Sequence, residues 1–152
     1  MKQSDITVEV QYIVDEKGLP TTAQLKAWAD AAVDKKYSGH ELLIRIVDDV
    51  ESASLNKQYR SKQGATNVLS FSADIPEGID LPLLGDLVIC APVVRKEADQ
   101  QDKAENAHWA HMVVHGALHL QGYDHQNDKE AECMESLEKK IMYGLGYPDP
   151  YK

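Results

Sequence analysis

A chain of 152 residues with 43% hydrophobic residues is long enough for one packed core and too short for two. Its formal net charge of −9 argues against a general binder of nucleic acids, because an acidic surface repels polyanions. The apolar stretches are short, and the N-terminal stretch alternates instead of forming the apolar block of a secretory signal, so we expect a cytoplasmic protein that does not enter a membrane.

The first half of the chain predicts strands and helices in alternation. Residues 6–14 alternate between apolar and polar side chains, which is typical of a half-buried strand. The segment that starts at Pro20 opens a helix that continues to about Lys36. The elements predicted after it are a strand over residues 41–47, a helix from about Val50 to Tyr59, and a strand over residues 67–72.

The second half of the chain is predicted to be mostly helical. Residues 75–82 form a loop, and residues 83–90 form a fourth strand. The helices predicted next begin at Pro92, break near Glu105, resume over roughly residues 107–120, and end with a last helix from Asp128 to about Tyr143. Residues 1–152 are therefore expected to form a single α+β domain, in which a small mixed sheet of about four strands packs with helices.

Three histidines in the second half are spaced as ligands of one metal ion. A helix places His115 and His119 on one face, because they are four residues apart. Gly122 lets the chain turn after that helix, so that His125 can return as a third ligand. Three nitrogen ligands with one open position are typical of a catalytic zinc site. We expect one Zn²⁺ on this central helix, although other divalent metals also accept imidazole.

The same spacing occurs in metzincin peptidases, but a residue that those enzymes need is missing here. A metzincin carries its general base, a glutamate, directly after the first histidine, and this chain has Gly116 at that position. A metallopeptidase therefore stays an alternative only if a carboxylate from elsewhere, such as Asp86 or Asp124, lies beside the open metal position.

A short basic segment interrupts this acidic chain. Residues 52–73 contain Lys57, Arg60 and Lys62 and no acidic residue. From charge alone, the segment could equally be a solvated helix face or a contact for phosphate groups.

These motifs together resemble the YbeY family of bacterial metal-dependent endoribonucleases, which act in ribosomal RNA maturation. The resemblance rests on HGALHLQGYDH at 115–125, LNKQYR at 55–60, TNVLSF at 66–71 and LLGDLVI at 83–89. It implies a zincin-like fold, zinc as the cofactor, and a functional site made of His115, His119, His125 and Arg60. It further implies single-strand-specific cleavage of ribosomal RNA at the 3′ end of the 16S molecule, a role in ribosome quality control, and the ribosome or ribosomal proteins as partners.

A catalytic mechanism follows from these residues as a hypothesis. Arg60 would bind the phosphate and stabilise the charge that develops in the transition state, and His115 would act as a metal ligand at the reacting centre. The nucleophile could be the 2′-hydroxyl of the RNA or a water, and the sequence does not choose between them. The further side chains expected near the metal, as partners of its ligands or as substrate contacts, are Lys57, Asn67, Ser70, Asp86, His111 and Asp124.

Several of these expectations rest on neighbourhood in the chain. His111 lies one turn before His115 on the same helix face, whereas His108 lies two turns before it and is expected at the rim of the pocket. Asp124 is adjacent to a predicted ligand, so it could accept an imidazole N–H or cap its own turn.

Two residues on predicted strands are harder to interpret. Asp86 is an acid in an otherwise apolar strand, so its burial would require a partner such as Arg60, Arg45 or a backbone amide. Phe71 is the only phenylalanine of the chain; it could stack a base, but its strand context favours a core position.

A third interpretation is not an enzyme. Zinc could be structural in a ribosome-associated binding protein. A fourth protein ligand that closes the coordination sphere, such as His111 or Cys90, would favour that interpretation.

Overall fold

Four strands form the central sheet of the computed structural model, which describes residues 5–73, 75–76, 78–79 and 81–151. The sheet has the strand order β1-β2-β4-β3, with β1 at Thr7–Tyr12, β2 at Glu41–Val47, β3 at Val68–Ser72 and β4 at Leu83–Cys90. Strands β1, β2 and β4 are parallel, whereas β3 runs antiparallel to β4. The prediction of an α+β fold with a mixed sheet of about four strands is confirmed.

Five α-helices accompany the sheet in the described part of the chain. They are α1 (Thr22–Ala32), α2 (Asp49–Arg60), α3 (Ala91–Gln100), α4 (Glu105–Leu120) and α5 (Asp128–Gly144). α1 ends before the predicted Lys36, because a separate 3₁₀ turn at Lys35–Tyr37 is capped by the side chain of Asp34. The predicted break near Glu105 is confirmed by the gap between α3 and α4. Among the described residues, no helix has the length and apolar character that a bilayer-spanning segment needs.

The two faces of the sheet are covered to different extents. Alternation along β2 and β4 turns their apolar residues toward the main core, which also contains side chains of α1, α4 and α5 and includes the fully buried Leu42, Ile44, Leu87 and Ile89. A smaller cluster of Val47, Leu69, Val88 and Cys90 packs with Leu55 of α2 on the opposite face. β3 therefore turns Val68 toward the main core and Leu69 toward the smaller cluster.

α4 is the central helix of the fold. It contacts α1, α3 and α5 as well as strands β3 and β4, and most of its side chains are buried. A helix buried on nearly all sides holds its side chains in fixed positions, so α4 is a rigid support for the histidines that it carries.

Candidate active site

The structure brings the three predicted ligand histidines together at the C-terminal end of α4. The Nε2 atoms of His115 and His119 lie 3.1 Å apart, and each of the three histidines offers a ring nitrogen within 4.8 Å of those of the other two. Two nitrogens that each lie 2.0–2.1 Å from one tetrahedral ion are about 3.3 Å apart. The donor set therefore fits a single cation, and the assignment of these residues as metal ligands stays a prediction.

The turn after α4 explains how His125 reaches this cluster. Gly122 has a φ of +99°, a conformation that a residue with a side chain rarely adopts. The backbone N–H groups of Gly122 and Tyr123 donate to His119 and Leu118, which ends the helix and reverses the chain. The sequence-based role of Gly122 as the turning point agrees with this geometry.

The second ring nitrogen of His115 is held by a buried carboxylate on α5. His115 Nδ1 lies 3.1 Å from Glu138 Oε1, while His111 Nε2 lies 2.5 Å from Oε2 and the Tyr151 hydroxyl donates to Oε2 at 2.7 Å. Burial alone would raise the pKa of Glu138, but the hydrogen bonds from these three groups lower it to about 2. An ionised carboxylate accepts hydrogen bonds, so Nδ1 of His115 carries the proton and Nε2 presents its lone pair to the cluster.

His111, His115 and Glu138 also lie close enough together to hold a metal ion. The hydrogen bonds of Glu138 to both histidines account for this closeness without an ion. His111 thus contacts Glu138, which in turn holds His115, and it does not add a fourth ligand to the three-histidine cluster. The electrostatics of the cluster itself suit a cation, because burial, followed by the neighbouring His115 and His125, lowers the pKa of His119 and favours a neutral imidazole.

The three histidines open into a cleft of about 600 Å³. The end of α2 supplies Tyr59 and Arg60 to its lining, and β3 supplies the segment from Val68 to Ser72. Arg60 is exposed, and no described residue forms an ion pair or hydrogen bond with its guanidinium. The cleft therefore presents an unpaired permanent cation together with the histidine cluster.

Three other predicted site residues also line this cleft, each with a local partner. The Ser70 hydroxyl donates to the Gly116 carbonyl at 3.1 Å, and the Asn67 amide donates to Glu97 at 3.0 Å. Asp124 accepts a hydrogen bond from the backbone N–H of His125 at 2.8 Å, and the same carboxylate oxygen lies 3.8 Å from His125 Nδ1. Asp124 therefore caps its own turn, and that separation is too long for a hydrogen bond to the imidazole.

Gly116 explains why a peptidase base has no room after the first histidine. A Cβ atom at this position would lie 2.7 Å from Leu87 Cδ2 and 3.3 Å from Ser70 Oγ. The position faces the sheet and contacts it closely, so a glutamate there would overlap the core.

Two expectations about individual residues, those for Asp86 and His108, are wrong. Asp86 is exposed on the less covered face of the sheet, beside a separate pocket of about 370 Å³, because alternation turns it away from the face of Leu87. Its suggested partner Arg45 instead binds Glu51 at 2.6 Å. Lys57 is exposed on α2 and lies outside the lining of the cleft, so its role as a substrate contact stays a prediction. His108 is 3% exposed and binds Glu97 at 2.9 Å, so it does not lie at the pocket rim.

The residue that the sequence analysis missed is Glu138. It lies on the inward stripe of α5, four residues after Met134 and four before Met142, and all three side chains are at most 1% exposed. An acid at the apolar positions of an amphipathic helix is a detectable signal, because a buried carboxylate needs partners.

Comparisons with known proteins agree with this geometry. The family model described as "Endoribonuclease YbeY" matches residues 9–146. Two proteins named endoribonuclease YbeY are 53% identical to this chain: that of Nitrosococcus oceani over 97% of both chains, and that of Stenotrophomonas maltophilia strain R551-3 over 96% of this chain and 93% of its own. The solution structure of TM1509 from Thermotoga maritima has a similar fold, with a TM-score of 0.58 and 24% identity over 97% of this chain and 99% of that chain. The chain belongs to the YbeY endoribonuclease family.

Proposed function

We propose that this protein is a metal-dependent endoribonuclease that hydrolyses phosphodiester bonds in the cleft beside α4. The observation that carries the proposal is the meeting of three histidine nitrogens with an unpaired arginine in one open cleft. The name shared by its relatives supports RNA as the substrate.

The proposed roles follow from the chemistry of each side chain. His115, His119 and His125 would hold the ion, and we propose zinc because three imidazoles with an open position suit it. When bound, a divalent cation supplies positive charge to the reacting phosphate and makes a coordinated water more acidic. Arg60 would bind phosphate oxygens through its two N–H edges and stabilise the charge of the transition state.

Two routes for the nucleophile remain part of this proposal. Attack by the 2′-hydroxyl of the RNA breaks the bond from phosphorus to the 5′-oxygen, which leaves as a protonated hydroxyl, and gives a 2′,3′-cyclic phosphate that water then hydrolyses. Direct attack by water breaks one ester bond of the phosphate and gives a phosphate monoester and a free hydroxyl. Among the described residues that line the cleft, Asp124 is the one with a carboxylate, so it is the candidate proton acceptor for either route. Its presence there also supports the peptidase alternative, which the experiment below tests directly.

We further propose single-strand-specific cleavage at the 3′ end of 16S ribosomal RNA, with a role in ribosome quality control. The protein would act in the cytoplasm, with the ribosome or ribosomal proteins as partners. The acidic net charge of −9 supports this view, because such a protein gains little from nonspecific phosphate contacts and requires a defined partner.

The test compares RNA and protein substrates. Protein purified without a metal-affinity tag would be analysed for metal and then offered a ribosomal RNA fragment and casein. The variants are His115→Ala and Arg60→Ala, with Arg60→Lys as a control that keeps the charge and removes the two-point contact. We expect RNA cleavage that falls by about 10²–10³-fold in Arg60→Ala and disappears in His115→Ala. Hydrolysis of casein with intact RNA would instead establish the peptidase.

A further inference from the structure

An aromatic pair, one ring exposed and the other half-buried, lies in the cleft that the histidines open into. Tyr59, the residue before the last of α2, is 59% exposed. Phe71 of β3 contacts it edge to face, with ring centroids 5.2 Å apart and an interplanar angle of 75°. Both rings line the same cavity as His115 and Arg60.

Phe71 anchors this pair in the interior of the protein. It is half-buried and packs against the smaller core cluster of Val47, Leu69, Val88 and Cys90. The separation of the two rings is typical of a favourable aromatic contact. The exposed ring of Tyr59 is therefore held against a fixed neighbour.

The backbone around Tyr59 is fixed as well. Ser61 ends α2 in a left-handed conformation with a φ of 55°. Two buried side chains of α2 then bind the following loop: Asn56 donates to the Gly64 carbonyl at 2.9 Å, and the Ser52 hydroxyl donates to the Thr66 carbonyl at 2.9 Å. A rigid aromatic side chain with few rotatable bonds loses little entropy when a ligand contacts it.

We propose that Tyr59, held by Phe71, is a stacking platform for an unpaired base of the RNA whose phosphate Arg60 binds. The proposal rests on the proposed function. Tyr59 and Arg60 both line the cleft, so one strand of RNA that lies in it can meet the ring with a base and the guanidinium with a phosphate. A base in a duplex is already stacked and paired, whereas an unpaired base can turn toward an aromatic ring.

The charge of the cleft leaves room for stacking as a second source of affinity beside the contacts to the reacting phosphate. Among the described residues that line the cleft, Arg60 carries the one permanent positive charge, and the carboxylate of Asp124 carries a negative charge. The phosphate contacts that this cleft offers are therefore confined to Arg60 and the ion that the histidines would hold, and the chain with its net charge of −9 adds few others. Stacking requires no positive charge and accepts every base, because each base has an aromatic face.

Steady-state cleavage of a short single-stranded RNA tests this role. The full-length variants are Tyr59→Ala, Tyr59→Phe, which keeps the ring, and Tyr143→Ala, which removes a tyrosine that is 83% exposed on α5. We expect Tyr59→Ala to raise KM by about tenfold or more with a much smaller change in kcat, and the other two variants to stay within about twofold of the wild type. Circular dichroism would check that each variant is folded.

A second set of RNAs, in which one abasic site is moved along the strand, identifies the stacked base. For the wild type, an abasic site at one position should raise KM by about tenfold over the unmodified RNA. For Tyr59→Ala, the same abasic site should leave KM unchanged. Two results would overturn the stacking role while leaving the nuclease intact. One is an equal KM for Tyr59→Ala and wild type on the unmodified RNA. The other is a KM of Tyr59→Ala that stays tenfold above that of the wild type on every abasic RNA. A wild type that fails to cleave the unmodified RNA would overturn the proposed function itself, and the platform with it.

Discussion

The first half of α4 carries His108 and His111, and the second half carries His115 and His119, yet the two pairs have different surroundings. The side chains of His108 and His111 are 3% and 9% exposed, and each binds a carboxylate from another helix. The side chain of His115 is 21% exposed and faces His119 in the cleft. Each pair consists of two histidines about one turn apart on the same helix, so neighbours on other elements decide which histidines can take a ligand.

His115 is the junction between these two halves. Its Nδ1 atom binds Glu138, as the buried histidines bind their carboxylates, while its Nε2 atom faces His119. A metal ligand whose other nitrogen is fixed by a carboxylate keeps one tautomer and one ring orientation. The buried half of α4 therefore contributes to the open half through Glu138.

Removing a histidine from each half is expected to give the largest difference. His119→Ala should lower metal affinity by at least about 100-fold, because even an outer partner of a ligand is worth about 10–100-fold. His108→Gln should leave metal affinity unchanged, since its ring faces Glu97 and not the cleft. Competition with a chromogenic chelator measures both variants, and a metal affinity that falls in His108→Gln would show that His108 also supports the ligand cluster.

The carboxylates of the two halves provide a sharper comparison. Glu138→Gln replaces the negatively charged carboxylate that accepts the hydrogen bond from His115 Nδ1 by a neutral amide. We therefore expect metal affinity to fall by about 10–100-fold. Glu97→Gln is the matched control, because it makes the same change at the carboxylate that binds His108. Equal effects of the two variants in the chelator assay would contradict a specific role for Glu138.

The difference between the two halves also marks what the sequence could predict. Spacing along one helix predicted that His115 and His119 meet, and the sequence predicted the strand over residues 41–47 that places Leu42 and Ile44 in the core. The buried state of His108 depends on Glu97 of a different helix, which local patterns do not reveal. Tertiary contacts between helices therefore had to come from the structure.

Asp86 shows the same limit on a strand. Alternation alone places it opposite to Leu87, which is fully buried. Whether the opposite face is covered depends on where α2 packs, and the sequence carries no local signal for that. The error in the prediction for Asp86 came from assuming that an apolar strand is buried on both faces at every position.

The close approach of α4 to the sheet can be tested at Gly116. Gly116→Ala should destabilise the protein by about 1–3 kcal/mol, because the new methyl group overlaps the fully buried Leu87 side chain. Gly144→Ala is the control. Gly144 is the last residue of α5, and no atom lies within 4 Å of a Cβ added there, so this substitution should leave the free energy of unfolding unchanged or raise it slightly. Urea unfolding of the metal-free proteins measures both changes, and equal free energies of unfolding would show that the helix can shift away from the sheet.

The smallest expected effect is the pH dependence that the buried half contributes. Burial lowers the pKa of His108, while Glu97 opposes this shift without cancelling it. The unfolded chain then binds more protons than the native one below the ordinary histidine pKa of about 6.5, so the contribution to stability is present above that pH and is lost as the pH falls through the native pKa.

His108→Gln removes this titration while its amide can still donate to Glu97. Between about pH 7 and about pH 5, the free energy of unfolding of the metal-free wild type should fall more steeply than that of the variant, by at most about 1.4 kcal/mol per pH unit. His119 titrates in both proteins, so it cancels from the difference. Parallel pH profiles would show that His108 keeps an ordinary pKa in the folded protein, and the difference between the two histidine pairs of α4 would then rest on burial and hydrogen bonding alone.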